Sequence, residues 1–134
     1  MADVIVILTT LAVAAFVGWK GGGAERCGAL LVAFTALVYL VLCHAFGRAA
    51  TAYSVDASLL LGFGAIYLRF RQPWVLSALC VRLAAAPLHM LILTGEGGFY
   101  TGLSRLNLPA YATLACLLLG LYERRRRLTP CPAA

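Results

Sequence analysis

Between Val4 and Tyr122 the chain is built almost entirely of apolar runs, and its charges stand mainly in the breaks between them. That arrangement excludes most soluble folds. Hydrophobic residues fill 63% of the 134 positions and charged residues 12%, against roughly 25% charged in a soluble domain. A domain this short has too little interior to hide so much apolar surface, so lipid must cover part of it. The net charge of +6 would suit a nucleic-acid partner if the basic residues formed a stripe. They cluster instead at the ends of apolar runs, as in membrane proteins.

Five runs are separable, at about 4–19, 27–46, 55–70, 73–94 and 108–122. The breaks are "GGGAE", "GRAATAYS", "RQP", "GEGGFYTGLSRLN" and a final "ERRRR". Glycine, proline and charge are helix stop signals, and Pro73 suits a first helical turn. The first run follows Asp3 and precedes Lys20, the reverse of a secretory signal, so it reads as a retained span. The segments lack the alternating polarity of a barrel. No internal repeat is apparent in the residues, and there is no polar linker to divide the chain. The expectation is one all-α transmembrane domain over residues 1–134 with about five helices. Trp19, Tyr53, Trp74, Tyr111 and Tyr122 are expected to anchor the ends of these spans at the interface.

Lys20, Arg26, Arg69, Arg71 and Arg124 to Arg127 fall on one side of such a bundle; only Arg48 and Arg105 fall on the other. Basic excess marks the cytoplasmic side. This predicts an N-terminus outside, a cytoplasmic C-terminus and residence in the bacterial inner membrane. Arg124 to Arg127 are also candidate contacts for anionic lipid headgroups.

Chemistry-bearing residues are few. The five cysteines, Cys27, Cys43, Cys80, Cys116 and Cys131, show no metal-ligand spacing and read as packing residues; palmitoylation of Cys131 is an alternative. His44 lies 18 residues past Arg26 and His89 16 past Pro73. At about 1.5 Å per residue that gives them one depth, so they are candidate ligands for haem or a quinone site, with interfacial hydrogen bonding as the plainer role. Asp56 is read as a helix-start residue and Glu96 as a loop residue. No metal site and no catalytic group is expected.

"VDASLLL" (55–61), "LR" (68–69) and "PWVL" (73–76), continuing to His89, resemble a family of small bacterial multi-span inner-membrane proteins of no known activity. The resemblance covers the middle third of the chain and implies several spanning helices; Arg82 is not part of it.

Arg82 itself stands in "ALCVRLAAAPLHM" (78–90), about 13 Å into the fourth run by helical rise. An arginine there is costly in lipid, by about 2.5–3.5 kcal/mol on insertion scales. Ala78, Arg82, Ala85, Ala86 and His89 share one small-residue face, and Gly62 and Ala65 suggest another. With no Asp or Glu expected inside a span, Arg82 is assigned to a partner chain or a bound anion, with carbonyls freed by Pro87 as partial acceptors. The functional expectation is a non-catalytic small membrane subunit or assembly partner of a larger inner-membrane complex, bioenergetic ones included. No cofactor is predicted, and other membrane subunits or further copies of the chain are the expected partners. The alternatives are a small transporter or channel with Arg82 as anion site, and a haem- or quinone-binding protein using His44 and His89.

Overall fold

The computed structural model describes residues 2–46, 48–93 and 108–128, with side chains at 2–3, 44–46, 48–50, 52, 86 and 88–93 outside that description. The described residues form five α-helices: α1 (Ala2–Lys20), α2 (Gly23–Phe46), α3 (Arg48–Phe70), α4 (Pro73–Leu93) and α5 (Leu108–Leu128). Each packs on the next, and α5 returns to α1 and α2, closing a ring.

Four helices are longer than the apolar runs implied, α1 by two residues at its start and one at its end. α2 starts at Gly23 and not at 27. α3 starts at Arg48, so the last seven residues of "GRAATAYS" are helical. Alanines 49, 50 and 52 favour helix more strongly than the surrounding polar residues oppose it. α5 runs on through "ERRRR" to Leu128, because Glu and Arg are good helix formers and arginines suit the negative end of the dipole.

Two hairpins are built alike. In α1–α2 the break is Gly21 and Gly22, and the Gly21 N–H donates to Val17 O at 2.7 Å. A Cβ at Gly21 would lie 2.5 Å from Val17 O, so only glycine fits. The Gly22 N–H donates to Glu25 Oε2 at 2.9 Å, the reach-back half of a capping box. In α3–α4 the break is Arg71 and Gln72, and the Arg71 N–H donates to Tyr67 O at 2.8 Å. Arg71 takes φ 51°, a left-handed position that favours glycine. Counted from Gly22, the buried α2 residues Ala24, Glu25, Gly28, Val32 and Thr35 fall at the same steps as Trp74, Val75, Ala78, Arg82 and Ala85 counted from Gln72. The repeat absent from the residue identities is present in the turn and the burial register.

The core gathers around Trp74, which is 1% exposed. It meets Phe63 edge-on at 6.5 Å between centroids. Glycine admits it on both sides: a Cβ at Gly28 would lie 2.8 Å from its ring and one at Gly120 2.7 Å. Trp74 is therefore a core residue and not an interfacial anchor, because the absent side chains of Gly28 and Gly120 leave it a slot. Trp19, Tyr111 and Tyr122 are exposed, as anchors require.

The outer surface is apolar. Leu68, Leu61, Trp19, Val41 and Leu30 are each at least 70% exposed. Hydroxyls turn back onto their own helices: Thr9 donates to Ile5 O, Ser58 to Ser54 O and Thr113 to Pro109 O at 2.7–2.8 Å. One helix, Gly23–Cys43, is long and apolar enough to cross a membrane; Val4–Lys20 and Pro73–Ala85 are shorter apolar stretches.

Candidate functional site

Arg82 Nη1 donates to Asp56 Oδ1 at 2.8 Å, joining α4 to α3. Arg82 is 7% and Asp56 6% exposed. The carboxylate comes from within the chain, which corrects two sequence expectations. Asp56 is the ninth residue of α3, not a helix-start residue, because α3 begins about two turns earlier than its apolar run. Arg82 consequently does have an acidic partner inside a helix, and that partner is not a carbonyl freed by Pro87. Pro87 stands within α4, exposed.

Arg82 stands nine residues beyond Pro73 and Asp56 fourteen before Phe70, so the arginine reaches away from the turn to its partner. A charge-assisted bond of this length is about twice as strong as a neutral one. It leaves further donors: Arg82 Nε is buried with no hydrogen-bond partner among the described residues. The first hairpin supplies an internal comparison. At the step of Arg82 stands Val32, 5% exposed, and at the step of Asp56 stands Val6. The hairpin architecture thus accepts an apolar residue at the arginine's position, and the ion pair is an addition specific to the second hairpin.

The small-residue face of α4 turns inward. Ala78 and Ala85 are buried beside Arg82; the side chains of Ala86 and His89 lie outside the described set. Gly62 serves internal packing too, since a Cβ there would lie 2.4 Å from Leu31 Cδ2, whereas Ala65 is exposed. These residues let helices of one chain approach each other.

The two histidines lie on α2 and α4, with side chains outside the description. Their heights differ from the expectation. His44 is 21 residues past Gly23 and His89 16 past Pro73, a difference of about 7.5 Å along matched helices. The equal depth came from counting α2 from Arg26, three residues after its start. Glu96, Arg105 and Cys131 fall outside the described residues, as does the Arg48 side chain. Among the described residues no group of three or more His, Cys, Asp or Glu is placed to hold a metal.

The basic residues of the hairpin turns and of α5 share one end of the bundle. Arg124 Nη1 reaches Lys20 O at 3.5 Å, and Arg124 and Arg127 line a cleft with Gly22 and Gln72. Lys20 Nζ lies 4.2 Å from the Trp19 ring centroid, a cation–π contact suited to a headgroup layer. Arg125 and Arg126 are exposed.

No protein-family model, curated protein or solved structure matches this chain.

Proposed function

We propose that the chain is a multi-pass bacterial inner-membrane protein with its N-terminus outside and its C-terminus cytoplasmic. It serves as a non-catalytic small subunit or assembly partner of a larger membrane complex. The observation that carries this reading is inverted polarity. Leu61 and Leu68 are nearly 80% exposed while Asp56 and Arg82 are buried. Water would penalise that surface, and hydrocarbon would not. The interior charges neutralise each other, which suits a structural role.

Purification in mild detergent from native membranes tests the reading. A stoichiometric membrane subunit that stays bound through size exclusion is expected. A monodisperse lone chain would refute the assembly role, and release of the chain from membranes by alkaline carbonate would refute membrane residence itself.

The transporter reading draws support from one observation, the buried Arg82 Nε without a partner among the described residues. Anion flux into proteoliposomes that disappears when Asp56 and Arg82 are both changed to Val, a pair replacement expected to preserve packing, would favour it over the assembly role.

A further inference from the structure

At the basic end of the bundle a cleft of about 300 Å³ opens between the start of α2, the α3–α4 turn and the last turns of α5. That volume lies at the lower end of small-molecule sites. Four charged side chains line it: Glu25, Glu123, Arg124 and Arg127. Two carboxylates and two guanidinium groups in so small a space would ordinarily pair. Among the described residues no ion pair joins them, and the described salt bridge is the distant Arg82–Asp56. Glu25 Oε2 accepts from the Gly22 N–H. Among the described residues Arg124 makes a long contact with Lys20 O. Glu123 Oε2 is buried with no hydrogen-bond partner among the described residues. Gly22 keeps the floor open, since a Cβ there would lie 2.9 Å from both Arg124 Nη1 and Glu25 Oε2.

We propose that this cleft binds a phosphoethanolamine-type zwitterion, a primary ammonium joined to a phosphate ester. The ammonium donates to the Glu123 carboxylate, and the phosphate oxygens accept from Arg124 and Arg127. The charge set selects this class. A simple anion would leave Glu123 unsatisfied and face two carboxylates; a simple cation would face two guanidinium groups. A quaternary ammonium has no N–H to give Glu123. The position fits a phospholipid headgroup, since this end carries the basic residues that the membrane reading, on which this inference rests, places at the cytoplasmic interface. Free O-phosphoethanolamine shares the chemistry.

The test uses the full chain in non-ionic detergent, with phosphatidylethanolamine, phosphatidylcholine and phosphatidylglycerol of identical acyl chains, read by native mass spectrometry. Phosphatidylethanolamine is expected to be retained about tenfold more strongly than phosphatidylcholine, the worth of a charged hydrogen bond. Glu123→Gln should erase that preference, and Arg127→Gln should weaken both lipids. Gly22→Val alters no charge, and it should abolish retention by filling the floor; thermal melting of each variant controls for folding. Competition by free O-phosphoethanolamine at matching concentration identifies a soluble source, and a preference that resists it identifies the lipid. Equal retention of the ethanolamine and choline lipids, or a preference for phosphatidylglycerol, overturns the proposal. If the chain resists carbonate extraction and shows no such preference, this inference alone has failed.

Discussion

Arg82 and Asp56 form one unit, and single substitutions report on the member left behind. Arg82→Leu takes the guanidinium away from a buried carboxylate and Asp56→Leu the carboxylate away from a buried guanidinium, so each should destabilise the chain, by up to about 3–5 kcal/mol. Denaturant titration in detergent micelles measures this, and a loss below about 1 kcal/mol would mean that the remaining charge is satisfied by other groups or by water. Arg82→Leu is therefore not a neutral probe of partner binding. At Arg71, with φ 51°, glycine removes the left-handed penalty of about 1 kcal/mol. Arg71→Gly should raise the melting temperature by a few degrees, and an unchanged or lowered melting point would show that the arginine side chain offsets the strain.

The hairpin is the element that repeats. Its first copy carries valine where the second carries the ion pair, so Asp56→Val with Arg82→Val rewrites α3–α4 in the manner of α1–α2. Replacing a buried pair with apolar residues is often neutral or stabilising. The double variant should melt within a few degrees of the parent while either single change melts well below it. A double variant as unstable as the singles would mean that α3–α4 is not interchangeable with α1–α2. The helical runs were legible in the residues because proline, glycine and charge punctuate them. The pairing was not. It depended on α3 starting at Arg48, and "GRAATAYS" combines glycine and serine stop signals with alanines that extend a helix. Trp74 was misplaced for a related reason: a tryptophan beside a turn suggests an interfacial anchor, and only the packed structure shows Gly28 and Gly120 making room for it. The equal depth expected of His44 and His89 depended on counting α2 from Arg26, and the three helical residues before it, Gly23 to Glu25, are not marked by an apolar run.

For the molecule as a whole, the gathering of Arg124 and Arg127 with both hairpin turns at one end places the basic residues for a single interface. On the proposed topology, reporter fusions at Ala134 should be active only as cytoplasmic reporters, and an active periplasmic one would overturn the proposed five-span arrangement. Gln at Arg124 to Arg127 should lower affinity for anionic vesicles by about 1 kcal/mol per residue. Unchanged vesicle binding together with unchanged topology would remove both roles from the run.

Asp56 leaves the ribosome twenty-six residues ahead of Arg82, and a two-residue turn folds one helix back on the other. On the proposed membrane reading, a nascent chain of this design presents its carboxylate before its arginine emerges, and the translocon can release the two helices as a closed pair whose buried charges cancel. The partitioning unit is then the hairpin. Delivered alone, α4 would carry an unneutralised arginine into lipid at about 2.5–3.5 kcal/mol, enough to leave most molecules on the membrane surface. In a glycosylation-mapping insertion assay, α4 alone should insert poorly and α3–α4 together efficiently. The order of synthesis would thus be part of how this sequence tolerates a charge at that depth.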